Sequence, residues 1–493
     1  MQKWLAPALD YISRWMDFQM RMSQQPGCVI AIAHKHRIVL EQAFGHADLA
    51  RGISLTPRHR FRVASHSKSY TAAGVMKLRE QGRLKLDDAV GHYVKGLNPR
   101  IARTTLGQIL SHSAGIVRDG KEAGQFLDRR PFLSAEELMA DLRAAPAIEP
   151  NTRFKYSNHG FGLIGLAIEA VTGEPFTSWM KREIIDAAGL EETHPDMPIP
   201  KAAPMASGHS GRLLLGRRVV IPGDYTTNAI APAGGVVSTA SDLALFFAQL
   251  SPKAGKSVLS VASRREMIRR QWRNQHSSLE RYYGLGTISG SLGGWEWFGH
   301  SGGLQGYITR TCVIPEHDLA VAVLTNAIDG WAGIWVDGAM HILRAFSRHG
   351  APSRKVRDWS GRWWSVWGAV DLVPMGNKVL VVGPGFINPI GDAGELEITA
   401  RDQGRFAVAD GYSSYGEPVR RVRNRAGKVA EVWLAASKML PKGKIRQGDA
   451  GAVWHLGRRR GGAPQDAQAI AAQALSITPQ PQPAARDPWR RRC

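Results

Sequence analysis

The chain has 493 residues, 43% of them hydrophobic and 22% charged, so it is long enough for two or three cores and too apolar for a disordered polymer. Its formal charge is +22, yet Lys and Arg are spread along the chain with no zinc-ligand spacing or RNA-binding aromatic motif, which argues against nucleic acid as a specific partner. Cys28, Cys312 and Cys493 are too few and too odd in number for a disulfide framework.

The first segment, "MQKWLAPALDYISRWMDFQMRMSQQPG", has apolar residues at helical spacing broken by Lys3, Asp10, Arg14, Asp17 and Arg21. It therefore lacks the unbroken apolar run of a signal peptide, and no other stretch is long and apolar enough to span a bilayer. The expectation is a cytoplasmic protein. "GCVIAIAHKHRIVLEQAFGHAD" reads as two strands around a polar turn at His34 to His36, an antiparallel hairpin. A helix opened by Ser65 and a long helical middle follow. Near residue 280 strands return, and "TRTCVI" and "LAVAVLTN" flank a turn at Pro315 to Asp318. The helix "GIWVDGAMHILRAF" then closes this part.

Strands at both ends with helices between them predict an α+β fold: one antiparallel sheet flanked by helices, with an inserted helical subdomain, over residues 1–350. Short, evenly spaced strands over 351–456 predict a small all-β domain, a barrel of lipocalin-like kind or a sandwich. Residues 457–493, rich in Pro, Gln, Ala and Arg, read as a disordered tail.

The chemistry starts in "RVASHSKSYTAAGVMKLREQGRL". Ser65 and Lys68 are three residues apart, so one helical turn puts the amine beside the hydroxyl. A serine needs a base to act as a nucleophile at neutral pH, and a lysine is that base only when burial or neighbouring cations lower its pKa. The serine also sits at a helix start, where free N–H groups favour an oxyanion. Alone, S-x-x-K is commonly only an N-cap and a surface lysine. Tyr156-Ser157-Asn158 precedes a second helical pattern and can present a phenol and an amide to a cleft. His300-Ser301-Gly302 leads into a strand whose glycines permit close approach. Gly299 to Gly303 also fits the G-x-S-x-G elbow with Ser301 as nucleophile, but an elbow needs a helix after the serine, and the sequence continues as a strand.

Taken together, S-x-x-K, then Y-x-N about ninety residues on, then H-x-G about one hundred and forty further, resemble the serine β-lactamase and penicillin-binding-protein superfamily, in its class C-like branch of peptidases and esterases (peptidase family S12). The blocks "TTLGQILSHSAGI", "YSNHGFGLIGLAIEAVTGEPF" and "PAGGVVSTASDLALF" resemble that family too. The resemblance implies that Ser65 is acylated and that Lys68 and Tyr156 share its proton, with Tyr156 protonating the leaving group. It implies that Asn158 orients Lys68 or binds a substrate carbonyl, and that His300 holds the tyrosine's hydrogen-bond network or contacts substrate. The oxyanion hole would be the amides of Ser65 and Gly303, with Gly302 beside it. His112 of "LSHSAGI" and the block at 232–243 read as structural. No metal or organic cofactor is implied.

Histidine in place of the third-motif lysine removes a cation that would grip a β-lactam or peptide carboxylate. Arg310, further along the strand, is the replacement the sequence offers. The H-x-G motif and the following β domain most resemble the D-aminopeptidases, D-amino-acid amidases and related esterases. Substrates are then small molecules or short peptides with an amide or ester bond. The alternatives are a carboxylesterase or β-lactamase-like hydrolase, an acyl or amide transferase, and a catalytically silent binding protein. A homo-oligomer and a β domain covering the cleft are further expectations.

Overall fold

The computed structural model describes residues 2–127, 129–212, 216–275 and 280–444. The tail at 457–493 and the last part of the predicted β domain lie outside the described residues. In chain order the elements that frame the site are α1 (Leu5–Ser23), β1 (Gly27–His34), β2 (Arg37–Asp48), β3 (Ile53–Ser54), α2 (Ser67–Glu80), α3 (Asn158–Thr172) and α4 (Ala240–Gln249). They continue as β4 (Trp272–Arg273), β5 (Arg281–Tyr283), β6 (Ile288–Leu292), β7 (Trp295–Gly299), β8 (Ser301–Leu304), β9 (Tyr307–Ile314), β10 (Leu319–Thr325) and α5 (Ala332–His349).

The ten strands form one antiparallel sheet in the order β3-β2-β1-β10-β9-β7-β6-β5-β4, with β8 also paired to β9. The first hairpin closes through Lys35 and His36, at φ 50° and 59°. Two consecutive left-handed residues are what a two-residue hairpin loop needs to match strand twist. The second hairpin turns through a short 3-10 segment at Pro315–His317. Segments about 290 residues apart in sequence meet at β1 and β10, in register from Cys28 opposite Thr325 to His34 opposite Leu319.

Both faces of the central strands are covered, which explains their continuous apolar runs. Val29, Ala31 and Ala33 of β1 and Ala320, Ala322 and Leu324 of β10 face a core shared with α2, α3 and α4. Cys28, Ile30 and Ile32, with Leu319, Val321 and Val323, face a second core built on α1 and α5. Period-two alternation thus divides the molecule into two layers. α1 is amphipathic as its spacing predicts, and buries Leu5, Ile12, Trp15 and Met16.

The C-terminal region is an eight-stranded meander, β11 (Gly361–Ser365), β12 (Gly368–Met375), β13 (Lys378–Val382), β14 (Gly394–Ala400), β15 (Gln403–Val408), β16 (Pro418–Arg423), β17 (Val429–Leu434) and β18 (Ser437–Met439), each paired to the next. Reciprocal 2.8 Å hydrogen bonds between Trp364 and Leu440 join its two edges, so it is a nearly closed barrel rather than a sandwich. Leu372 and Val379 fill it, while their strand neighbours Val373 and Leu380 join the core of α1 and α5. Trp15 and Gln19 of α1 donate to the carbonyls of Phe386 and Pro384, at 3.3 and 2.7 Å. The barrel is therefore fastened to the layer that faces away from Ser65.

Candidate active site

Ser65 lies in a 3-10 turn, Ala64–His66, immediately before α2. Ala64 is left-handed at φ 52°, an uncommon state for a non-glycine residue, and its neighbours Ser67 and His66 brace the turn. Ser67 Oγ donates to the Ala64 carbonyl at 2.7 Å and accepts from the Val236 amide at 2.9 Å. His66 is fully buried, with Nδ1 2.9 Å from the Val63 carbonyl and Nε2 3.2 Å from Thr311 Oγ1 on β9. Burial pushes its pKa down to about 3, so this strut is neutral.

Lys68 is completely buried on the first turn of α2. Its Nζ donates to Ser65 Oγ at 3.1 Å, Asn158 Oδ1 at 2.7 Å and the Ala233 carbonyl at 2.8 Å. Burial is the main cause holding its pKa well below the usual lysine range; the negative charge of Asp119 opposes this, and the positive charge of Arg118 adds to it. Among the three partners only Ser65 can also donate. A neutral amine therefore keeps its two N–H bonds on Asn158 and Ala233 and turns its lone pair to the serine hydroxyl. Tyr156 donates its hydroxyl to Ser65 Oγ at 2.8 Å from the other side, and burial raises its pKa, so it stands there as a phenol.

Ser157 caps α3 by accepting from the Gly160 amide at 2.8 Å, which fixes Tyr156 just outside the helix and Asn158 on its first turn. Asn158 Nδ2 donates to Asp119 Oδ1 at 2.6 Å, so the amide is oriented with its oxygen towards Lys68. His112 lies against Tyr156 with ring centroids 4.2 Å apart and accepts from the Ser157 amide at 3.1 Å.

The H-x-G segment forms the opposite wall. β7 and β8 both pair with β9, but β6 ends opposite Gly299, which leaves the edge of β8 open beside Ser65. Gly303 lines the resulting cleft of about 300 Å³ together with Ser65, Asn158, Ala233 and Leu304. Gly302 points inward, and a Cβ there would stand 2.2 Å from the Val63 carbonyl and 2.4 Å from Thr309 Oγ1. The strand can approach the turn that carries Ser65 only because this position has no side chain.

Two placements differ from the sequence reading. His300 is buried and makes no direct side-chain hydrogen bond to Tyr156; its Nε2 meets Tyr283 OH at 2.9 Å and its Nδ1 the Ser301 carbonyl at 2.7 Å. Burial holds it well below the normal histidine range, and it stays neutral. Its side-chain hydrogen bonds thus go to β5 and to the start of β8 rather than to Tyr156. Arg310 is not in the cleft. Its neighbours Thr309 and Thr311 reach His66 on the site's face, whereas the Arg310 guanidinium stacks over Trp297, 4.5 Å from the ring centroid, on the face of α1 and α5. Strand alternation makes this unavoidable. Ser301 starts β8 and is followed by strand, not helix, so the elbow geometry is absent.

Three partners escape the sequence motifs: Asp119, Tyr283 and the Ala233 carbonyl. The block containing Ala233 reads as a turn before a capped helix, which it is, with Thr239 accepting from Asp242 N; its carbonyl nevertheless completes the lysine's shell. Among the described residues no cluster of His, Cys, Asp and Glu has a metal-binding arrangement, no helix is long and apolar enough to cross a membrane, and no barrel residue lines the cleft.

A family model described as Beta-lactamase matches residues 12–331. Penicillin-binding protein 4 of Amycolatopsis lactamdurans is 29% identical over 304 residues, covering 58% of this chain and 77% of that protein. Protein flp of Staphylococcus aureus (strain NCTC 8325 / PS 47) is 27% identical over 177 residues, and the match spans 34% of this chain and 35% of flp. Two solved structures share the fold. The octameric penicillin-binding protein homologue from Pyrococcus abyssi has a TM-score of 0.62 at 23% identity, covering 88% of this chain and 99% of that one. A D-stereospecific amidohydrolase from Streptomyces sp. has a TM-score of 0.55 at 24% identity, covering 68% and 98%. Since the family model spans well over half of the residues, the chain belongs to the Beta-lactamase family, with the fold of the serine β-lactamases and penicillin-binding proteins.

Proposed function

We propose that the protein is a serine hydrolase that cleaves amide or ester bonds through an acyl-enzyme on Ser65. The observation that carries this reading is the position of Ser65 Oγ, 3.1 Å from the amine of Lys68 and 2.8 Å from the phenol of Tyr156. Neutral Lys68 takes the hydroxyl proton as Oγ attacks the substrate carbonyl carbon. The oxyanion that forms is met by the backbone amides of Ser65 and Gly303. As the bond to the leaving group breaks, Tyr156 gives it a proton, and the lysine ammonium, 4.7 Å from the tyrosine ring centroid, restores the phenol. Water then attacks the ester, its proton passes to the Lys68 and Tyr156 pair, and Ser65 regains its hydrogen.

D-amino-acid amides and short D-peptides are the first substrates to offer, on the combined ground of the H-x-G motif and the likeness to a D-stereospecific amidohydrolase. Short esters are the second reading, favoured by the apolar side chains of Phe126, Phe132, Ile230 and Leu304, which line the cleft with Ser65. Intact mass after exposure to a fluorophosphonate, followed by peptide mapping, tests the mechanism: one adduct on Ser65 is expected. An adduct on Ser301, or none on folded protein, rejects it. Including an amine acceptor in the turnover assay separates hydrolysis from acyl transfer by the aminolysis product.

A further inference from the structure

With histidine in the third motif and Arg310 on the other face, neither of those positions gives the cleft a cation. A different segment does. Arg118 lies on the loop that follows the short helix Leu106–Leu110, and its carbonyl accepts from the Asn158 and His159 amides at 2.9 and 3.2 Å, which ties the residue to the start of α3. Its side chain is 60% exposed and lines the cleft with Ser65, Asn158 and Gly303. The guanidinium carbon is 5.9 Å from the Tyr156 ring centroid. Of its five N–H donors, Nη1 is engaged by Asp119, while Nε and Nη2 have no partner among the described residues.

The acid that accompanies Arg118 is already committed. Asp119 is buried, and its second oxygen holds Asn158 Nδ2. Among the described residues no carboxylate lines the cleft. A substrate ammonium would meet Arg118 and the Lys68 amine with no free acid to receive it. A substrate carboxylate would meet a guanidinium fork with donors to spare, the geometry that suits bidentate pairing. The formal charge of +22 draws anions towards the surface as a whole.

We propose that Arg118 is the specificity-determining residue of this cleft and that the preferred substrates are esters or amides carrying a carboxylate. The proposal rests on the acyl-enzyme reading of Ser65 and narrows it: among D-amino-acid derivatives it favours acidic or N-acylated ones over those with a free α-amine.

Two matched pairs of esters test it. p-Nitrophenyl hydrogen glutarate against p-nitrophenyl valerate places the charge on the acyl side, and the valerate esters of 4-hydroxybenzoate and 4-hydroxybenzamide place it on the leaving side. In the native protein at least one pair should favour the anion by about tenfold or more in kcat/KM, carried mainly by KM and weakened by salt. Arg118→Gln should bring that ratio close to one, and Arg118→Lys should keep part of it. Ratios near one in the native protein, or a preference that survives Arg118→Gln, overturn the proposal. Fluorophosphonate labelling of the native protein keeps the two failures apart: label on Ser65 without a charge preference sinks only the role of Arg118, whereas no label removes the acyl-enzyme itself.

Discussion

A basic side chain is buried on each face of the central sheet, and the two have opposite surroundings. Lys68, on the side of α2 and α3, is held by three oxygen acceptors, one of them the hydroxyl of a serine that opens onto a cleft. Arg310, on the side of α1 and α5, rests on the face of Trp297 in the field of Asp337, among apolar side chains. Burial lowers the pKa of both, but only the lysine can lose its proton in the working range, because a guanidinium stays charged even when shifted. Burial alone therefore does not mark a functional cation. What marks it is a neighbour able to exchange a proton with it, and access from solvent to that neighbour.

The largest effect that would test this contrast is at the nucleophile. Ser65→Ala should lower turnover of any substrate by at least about 10³-fold, with thermal stability little altered. Lys68→Arg sharpens the point, since it puts a permanent cation at the site and removes the base: a loss of about 10² to 10⁴-fold is expected, with the fold intact by circular dichroism. The pH profile carries the same argument. The proposed mechanism requires the neutral amine, so kcat/KM should fall as pH drops through the lowered Lys68 pKa, and activity well above it should be flat until another group titrates.

A smaller effect is expected one step further out. Asp119 orients Asn158 and, as a nearby negative charge, raises the Lys68 pKa against the effect of burial. Asp119→Asn removes the charge while keeping a polar side chain. The acid limb of the profile should then move to lower pH, and kcat should drop by about tenfold as Asn158 loses its fixed orientation. A fall in rate with an unmoved limb would show that the carboxylate has no electrostatic hold on the lysine.

Much of this was legible because it is local. The two hairpins follow from apolar runs broken by turn residues, and Ser65 with Lys68, or Tyr156 with Asn158, are near neighbours in sequence whose spacing survives any tertiary arrangement. What was not legible is tertiary. The Ala233 carbonyl has no residue signature, and Asp119 and Tyr283 reach the site only through the packing of the loop after Leu106–Leu110 against α3 and of β5 against β6. Arg310 is the instructive case, because a signal was available. In "YITRTCVI" the residues Tyr307, Thr309 and Thr311 share one face by period two, so the arginine between them had to take the other.

That alternation makes the final and smallest prediction the one that tests the contrast most directly. Arg310→Gln shortens a buried side chain and removes its stacking on Trp297, so it should cost stability, about 1–3 kcal/mol in chemical denaturation. Because β9 separates it from Ser65, kcat/KM for charged and neutral esters should change by the same small factor, about twofold or less. Arg118 substitutions should do the reverse, changing the ratio between charged and neutral substrates with little effect on stability. If Arg310→Gln altered that ratio, the two faces would be coupled through the strand, and the assignment of chemistry to one of them would fail.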